Sequence, residues 1–306
     1  MNHLKTVRES ATVLISKAPN WLYSVARIWQ TIFDRWAINR SIKNGTPLIL
    51  IYQYGRVAST SLYTSLLAAD LKFPVYHVHT ISSHRASQRI AKVKERGHRV
   101  DRYMVLGKII GEKIVSFGDS PPAQPWKIIT VFRDPVSVMI SLHFMNVSRY
   151  FADILGKNGE LDTQKAIEHF QQITERDDPS GWAISTWFDD VFYDELGVDV
   201  YSHDFDKDRG YKIINDPRFD ILLLRFENLD QAFNEGVAKL FNLDNHRIKL
   251  LHSHLHKDDK YLDLQNYVKN NLKLSNSACD KIYSTKFAQH FYSPELISKL
   301  TKKWSG

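Results

Sequence analysis

The chain has 306 residues, of which 43% are hydrophobic and 25% are charged, as in ordinary soluble globular proteins. Its single cysteine, Cys279, excludes an intrachain disulfide and a cysteine-built metal site, and fits a reducing compartment. The net charge of +7 favours an anionic partner, but does not choose among nucleotide, glycan, nucleic acid and membrane.

Two patterns that would direct the chain into or across a membrane are missing from the sequence. It has no run of about 18 apolar residues, the length that a membrane-spanning helix needs. Its first residues also lack the apolar core and small-residue cleavage site of a secretory signal. We therefore expect a cytoplasmic protein, with peripheral attachment to a membrane left open.

The first predicted element is an amphipathic helix in an N-terminal arm, which we take as residues 1–45. Apolar residues recur at helical spacing within residues 21–37, namely Trp21, Val25, Ile28, Trp29, Ile32, Phe33 and Trp36. Because amphipathic helices mostly pack on cores, we favour docking on the protein's own core or on a second subunit of a homo-oligomer. The alternative is a helix that lies on a membrane surface, an interface that tryptophan and arginine suit.

Residues 46–306 have the alternating pattern of one α/β domain. Short segments rich in branched or aromatic residues predict strands at 48–52, 75–79, 127–132 and 219–226. Helices are predicted at 59–69, 80–96, 135–148, 163–175 and 181–195, and most of the chain beyond 228 is also predicted to be helical, with Pro294 opening the last helix. This alternation predicts an open parallel sheet flanked by helices, and the strands near 48 and 127 should be buried on both faces.

A polar turn follows the first of these strands, in the sequence YQYGRVASTSL. The strand ends near Tyr52 and a helix begins around Ser59, so an anion there would meet free N–H groups, the helix dipole and hydroxyls. Arg56 adds a full positive charge. We call residues 53–61 the first anion motif. Alternatively, the hydroxyl of Ser59 could simply cap the helix.

Two well-known nucleotide-binding patterns are absent from this turn. Gly55 is its one glycine, and no Gly-Lys-Ser/Thr ending follows, although that lysine and hydroxyl are what a triphosphate and its Mg²⁺ require. The three spaced glycines of a dinucleotide fingerprint are absent too. These absences argue against a P-loop kinase or NTPase, which we keep only as an alternative.

A second polar turn repeats the design, in the sequence FRDPVSVMISLHF. Arg133 follows the predicted strand, Asp134 is a predicted N-cap and Pro135 a predicted first helical residue. Ser141 lies about two helical turns further on. We call residues 132–141 the second anion motif. Parallel strands end at one edge of a sheet, so both motifs should face one crevice, as a nucleotide with phosphates at both ends of its ribose would need.

Together these motifs resemble the 5′-phosphosulfate loop and the 3′-phosphate motif of sulfotransferases that use 3′-phosphoadenosine 5′-phosphosulfate. The stretch ILLLRFENLDQAF resembles the same family's strand with an arginine–aromatic–acid–x–Leu ending. The segments STWFDDVFYDELGVDVYSHDFDKDRGY and KIYSTKFAQHFYSPELISKL are similar to a bacterial group of capsular polysaccharide synthesis proteins. The resemblance runs from about residue 46 to the C-terminus and implies a P-loop-like α/β fold.

The resemblance also implies roles for individual residues. Arg56 stands where the family often has the lysine that contacts the bridging oxygen, and arginine does not donate a proton as readily. Other residues of the first motif would hold the 5′-phosphate, namely Val57, Ala58, Ser59, Thr60 and Ser61. The 3′-phosphate would be held by Arg133 and Ser141. Ala58 departs from the glycine that is frequent in the family.

Sulfuryl transfer also needs a base for the acceptor hydroxyl. His77 and His79 alternate along a predicted strand and so share one face. A similar Tyr-His-x-His segment occurs in uronyl 2-O-sulfotransferases, whose base corresponds to His79, so His79 is the leading candidate and His77 a helper. Both could instead be ordinary buried histidines, and Glu227 is a lesser candidate.

The expected activity is sulfuryl transfer from 3′-phosphoadenosine 5′-phosphosulfate to a carbohydrate hydroxyl. The expected acceptor is a surface or capsular polysaccharide, and no metal should be required. A non-catalytic protein that binds a glycan or a membrane is a further alternative. A basic run could be a solvated surface or a track for an acidic glycan; it holds Arg85, Arg89, Lys92, Arg96 and Arg99. Nucleic acid is not expected as a partner, because no recognisable module accompanies this charge.

Overall fold

The computed structural model describes residues 19–118, 120–176, 183–244, 248–252 and 260–306. The chain divides into two compact units. One comprises Met1–Leu48 and Val78–Gln124, and we call it the helical unit. The other comprises Ile49–His77 and Pro125–Gly306, and we call it the sheet unit because most of the sheet lies in it.

A mostly parallel sheet of five strands is the centre of the fold. Its strands are β1 (Ile49–Tyr52), β2 (Val75–Val78), β3 (Trp126–Phe132), β4 (Tyr211–Asn215) and β5 (Phe219–Arg225), in the order β2-β1-β3-β5-β4. β1 and β5 both pair with β3 in parallel, as the alternating pattern predicts. β4 pairs with β5 in an antiparallel direction, so the expectation of a parallel sheet is wrong at this edge.

Helices follow or connect the strands. In chain order they are α1 (Asn20–Lys43), α2 (Ser59–Ala68), α3 (Ser83–Glu95), α4 (Arg102–Phe117), α5 (Pro135–Met145), α6 (Val147–Tyr150), α7 (Thr163–Glu175), α8 (Ala183–Trp187), α9 (Asp194–Leu196), α10 (Leu229–Phe241), α11 (Leu262–Asn271), α12 (Asn276–Tyr283), α13 (Lys286–Phe291) and α14 (Pro294–Trp304). A π-helical turn, Phe188–Tyr193, joins α8 to α9. The predicted helices are confirmed within a few residues, whereas α4 was not predicted.

The central strands are buried, and their parallel register places the polar loops at one edge of the sheet. All four residues of β1 are buried, and β3 and β5 are buried apart from their second residues, which confirms burial on both faces for the strands near 48 and 127. The parallel register pairs Ile51 with Ile129 and Phe132 with Arg225. The loops after β1, β3 and β5 therefore leave the sheet at the same edge.

The helical unit is held by a close backbone contact and a buried ion pair. A Cβ added to Gly107 or Gly111 of α4 would lie 2.2 Å from the carbonyl oxygen of Thr80 or 2.3 Å from that of Ile81, so only glycine permits this approach. α1 contacts the start of α4 through Arg102, whose Nε and Nη2 donate to the carboxylate of Asp34 at 2.8 and 2.7 Å.

The apolar stripe of α1 does not pack on the protein's own core, so that part of the favoured interpretation is wrong, while docking on a second subunit stays a prediction. Its large side chains are exposed, namely Val25, Ile28, Trp29, Ile32, Phe33 and Trp36, while the side chain of Trp21 lies outside the described residues. The buried face of α1 is instead the one with Tyr23, Asp34 and Ile38. Among the described residues, no helix is both long and apolar enough to cross a membrane.

Candidate anion-binding site

The first anion motif forms a strained turn that leaves a helix N-terminus open. Arg56 and Ala58 both have left-handed backbone conformations, with φ of 69° and 65°, and each costs about 1–2 kcal/mol in a residue other than glycine. The N-cap of α2 is Ala58, which has no side chain to cap the helix. Ser59 is the first helical residue, so the reading of Ser59 as a helix cap is wrong. Strain and an uncapped helix end together point to an external anion.

A direct hydrogen bond brings the two anion motifs together. Nε of Arg56 donates to Oγ of Ser141 at 3.0 Å, and Ser141 is buried on α5. Since the hydroxyl oxygen accepts this bond, its own O–H remains able to donate to another acceptor. One phosphate-sized anion near Ser141 would therefore also lie near the turn after β1.

Arg133 lies at the same edge, stacked on an aromatic ring. Its guanidinium carbon is 4.1 Å from the ring centroid of Phe226, because Phe132 and Arg225 are paired in the sheet and Arg133 and Phe226 follow them. Burial lowers the pKa of Arg133, and the carboxylate of Glu227 opposes that shift. No described residue accepts a hydrogen bond from this guanidinium, so its planar donors can bind an anion.

Asp134 anchors the second anion motif to the C-terminal helices. Its Oδ2 accepts hydrogen bonds from the backbone N–H and the hydroxyl of Ser137, at 3.0 and 2.7 Å, and from Nε1 of Trp304 at 3.1 Å. Its Oδ1 accepts one from the hydroxyl of Tyr283 at 2.7 Å. These bonds confirm Asp134 as the N-cap and Pro135 as the first residue of α5. Asp134 therefore fixes the motif in place, and its charge also acts on Arg133, second to that of Glu227.

Glu227 lies next to Arg133, close enough for its charge to act on the guanidinium. Its Oε1 accepts the backbone N–H of Asp134 at 2.9 Å, and its Oε2 lies 3.4 Å from the hydroxyl of Tyr292. Dense surrounding protein raises the pKa of Glu227 to about 6, with a further contribution from Asp134, yet the residue is still exposed to solvent. Glu227 is therefore a carboxylate that solvent can reach beside the second anion motif.

Lys269 of α11 joins this cluster and was not predicted as a site residue. Burial is the main cause that lowers the pKa of Lys269 to about 8. The remaining causes are three neighbouring positive charges, those of Arg133, Arg56 and Lys303. No described residue forms a hydrogen bond or ion pair with its ammonium. Nothing in the local sequence distinguishes this lysine, since only the fold brings α11 to the strand ends.

The cluster is therefore rich in positive charge. Arg133, Arg56 and Lys303 all lie close enough to Lys269 to lower its pKa. Glu227 is the carboxylate that most strongly opposes the lowered pKa of Arg133, ahead of Asp134. Crowding of like charges in a partly buried place is unfavourable for the free protein. An anion with two or more charges would relieve this repulsion and use the donors that remain.

The two candidate histidines belong to different units. His77 lies in β2, where it alternates with the buried residues Tyr76 and Val78, as a shared face with His79 requires. His79 lies in the helical unit, and its ring makes an edge contact with Tyr103 at 5.0 Å between centroids. These contacts do not assign a chemical role to either histidine.

The basic run, a tryptophan and a histidine-rich segment have ordinary surroundings or lie outside the described residues. Most of the basic run on and after α3 is exposed, as a solvated surface would be. Trp187 is a core residue packed on Tyr52, at 5.3 Å between ring centroids. A histidine-rich segment lies between residues 246 and 256. Nε2 of its His252 lies 2.8 Å from Oδ1 of Asp230 at an exposed position, whereas His246, His254 and His256 lie outside the described residues. Across the described residues, no three metal-ligating side chains form a group.

Comparison with known proteins supports one part of the resemblance. Residues 158–293 match the family described as "Putative capsular polysaccharide synthesis protein". This range is less than half of the chain. It contains Arg225, Glu227 and Lys269 but neither anion motif. No curated protein and no solved structure matches the chain.

Proposed function

We propose that the protein is a sulfotransferase that moves a sulfuryl group from 3′-phosphoadenosine 5′-phosphosulfate to a carbohydrate hydroxyl, within the synthesis of a surface polysaccharide. The hydrogen bond from Arg56 to Ser141 carries this proposal, because it joins the two anion motifs at one edge of the sheet. The match to a polysaccharide synthesis family supports a carbohydrate acceptor. The P-loop-like fold is part of the same proposal.

The proposed donor matches the charges of the site. The 5′ end of the nucleotide would lie over the open N-terminus of α2, where Val57, Ala58, Ser59, Thr60 and Ser61 supply N–H groups and hydroxyls. The 3′-phosphate would accept hydrogen bonds from Arg133 and Ser141. Lys269 would add an ammonium that the resemblance does not include. Lys269 is near both arginines, so its ammonium would take the place of the lysine that the family often has at position 56.

In the proposed reaction the acceptor oxygen attacks sulfur, and the bond from sulfur to the bridging oxygen of the nucleotide breaks. The products are the sulfated glycan and adenosine 3′,5′-bisphosphate. Catalysis then depends on alignment and on stabilising the negative charge that grows on the leaving oxygen. Arg56 and Lys269 are the cations we assign to that oxygen, and no metal is required for this step.

Calorimetry with adenosine 3′,5′-bisphosphate tests the donor site directly. We expect binding without Mg²⁺, and we expect Arg133→Ala to weaken it by about tenfold to a hundredfold while the fold is kept, since a charged hydrogen-bond pair is lost. Arg209→Ala is the matched control, because Arg209 is exposed and pairs with Asp206. Equal affinity for Arg133→Ala and the control would refute the proposed 3′-phosphate site.

The same measurement separates the alternatives. Tighter binding of ATP or GTP that depends on Mg²⁺ would favour a kinase or NTPase. Binding of a glycan with no affinity for the bisphosphate would favour a non-catalytic protein.

We propose His79 as the base and His77 as its helper, on the family resemblance and on their alternation along the chain. We expect His79→Ala to keep its affinity for adenosine 3′,5′-bisphosphate and to lower turnover by about 10²-fold or more, the usual effect of losing a general base. Turnover is measured as release of the bisphosphate from the sulfated donor in the presence of acceptor. Near-normal turnover would remove His79 from this role.

A further inference from the structure

The helix α1 presents its apolar side to solvent and its polar side to the helical unit. Tyr23 donates from its hydroxyl to the carbonyl oxygen of Val100 at 3.0 Å, and Asp34 accepts two hydrogen bonds from Arg102. At 100° per residue, the exposed stripe lies on the side of the helix opposite these contacts. A helix that only needed to pack on its own unit would show the reverse arrangement.

The exposed stripe is large and continuous. Seven large apolar side chains of α1 are exposed, from 43% for Leu22 to 68% for Trp29, and the others are Val25, Ile28, Ile32, Phe33 and Trp36. Together they expose on the order of several hundred Å², the size at which an apolar patch on a soluble protein marks an interaction site. Single exposed apolar residues need no such explanation.

Positive charge accompanies the stripe. Arg40 and Lys43 are exposed at the C-terminal end of α1, and the guanidinium of Arg40 lies 5.2 Å from the ring of Trp36. The one acidic residue of the helix, Asp34, is buried and paired with Arg102. The exposed side of α1 therefore combines aromatic and aliphatic groups with cations and carries no carboxylate.

We infer that the exposed stripe of α1 binds the surface of a bilayer that contains anionic lipids, with the helix lying in the plane of the interface. Tryptophan and phenylalanine favour the boundary between head groups and acyl chains, and cations near it are attracted by anionic lipids. A second copy of the chain fits less well, because it would bring further positive charge to a chain whose net charge is already +7. This inference does not depend on the proposed sulfotransferase activity.

Vesicle sedimentation with the full chain tests the inference. We expect the chain to sediment with vesicles made of equal parts phosphatidylcholine and phosphatidylglycerol, and to bind phosphatidylcholine vesicles much more weakly. The double variant Trp29→Gln, Ile32→Gln should lower the partition coefficient about tenfold or more, because two exposed side chains no longer enter the interface. The control Val115→Gln changes an apolar residue of the same unit that is 75% exposed outside the stripe, and it should bind as the unchanged chain does.

The electrostatic part has its own variant. Arg40→Glu, Lys43→Glu should also lower binding to the anionic vesicles about tenfold or more, and binding should weaken as salt is raised. Circular dichroism confirms that each variant keeps its fold, which we expect because every substituted side chain is exposed. Sedimentation that is equal for the double variant and the control would overturn the inference. A dimer that Trp29→Gln, Ile32→Gln dissociates, in a chain that does not bind vesicles, would also overturn it and would assign the stripe to a second copy.

Discussion

Lys269 shows how a residue can acquire a site role through its surroundings. An ordinary lysine is fully charged at neutral pH, whereas burial and neighbouring cations lower the pKa of Lys269 to about 8. In the free protein the ammonium of Lys269 therefore loses its proton at a lower pH than an ordinary lysine does. A bound anion would reverse this by favouring the protonated lysine.

A pH dependence of nucleotide binding follows from this pKa. Binding of adenosine 3′,5′-bisphosphate takes up a proton wherever free Lys269 is neutral, so affinity should be steady below about pH 8 and fall by up to about tenfold per pH unit above it. Calorimetry between about pH 7 and pH 9 avoids titration of the phosphates, whose second pKa is about 6.

Two substitutions at position 269 separate charge from packing. Lys269→Arg keeps a cation that does not titrate in this range, so its affinity should vary much less with pH. Lys269→Met should bind about tenfold or more weakly at pH 7, because one charged contact is lost. If the unchanged protein and Lys269→Arg gave parallel pH profiles, Lys269 would not lie at the bound anion.

Arg133 and Ser141 illustrate what sequence reasoning can supply for single residues. Both belong to the second anion motif, and their phosphate roles come from the family resemblance. The strand, arginine, acidic cap and proline that define the start of this motif are all present in the structure. The contact between Ser141 and Arg56 spans 85 residues of chain. The stacking of Arg133 on Phe226 arises from strand register. The local sequence pattern predicts the strand, the cap and the proline. It does not predict the contact of Ser141 with Arg56 or the stacking of Arg133 on Phe226.

The helix α5 is tied to α12 and α14 by its own N-cap, since Asp134 accepts bonds from Tyr283 and Trp304. The cap therefore performs two tasks. It begins α5 and it fixes the second anion motif against the C-terminal helices.

We expect Tyr283→Phe to lower the free energy of unfolding by about 1–3 kcal/mol, because a buried carboxylate loses one of its donors. Tyr193→Phe is the control, since Tyr193 is 53% exposed. Urea denaturation followed by circular dichroism measures both. Equal midpoints for the two variants would show that the cap does not depend on Tyr283.

Two elements were not predicted, for different physical reasons. The sequence of α4 is apolar with glycines at 107 and 111, which lowers helix propensity, and those glycines serve the close approach to Thr80 and Ile81. The strand β4 has only five residues and owes its structure to antiparallel pairing with β5. Tertiary contacts stabilise both elements more than their own local preferences do.

Three described histidines, one buried and two half-buried, should make the chain sensitive to acid. Burial lowers the pKa of His143 to about 4, and its Nδ1 lies 2.8 Å from the carbonyl oxygen of Met139. Burial also lowers the pKa values of His169 and His290. In each of these three side chains, burial favours the neutral imidazole.

The sign of the effect follows from the direction of the shift. Between pH 6.5 and about 4 the unfolded chain protonates His143 and the folded chain does not, so the free energy of unfolding should fall by about 3 kcal/mol over this window. Urea denaturation at several pH values measures the slope.

His143→Gln should reduce that slope even if it changes stability at pH 7, whereas His98→Gln, at an exposed histidine, should keep it. If His143→Gln lost stability with acid as steeply as the unchanged chain, His143 would not be the source of the acid sensitivity.

The sequence by itself determined the α/β class, the positions of the central strands, and the two polar turns that follow β1 and β3. These features depend on local periodicity, on caps and on the polarity of a few neighbouring residues, all of which are visible along the chain. Only the tertiary structure decided that Arg56 meets Ser141, that Lys269 joins them, and that the apolar side of α1 faces solvent. Each of these is a relation between distant segments, set by strand order, by register and by which face of a helix is buried.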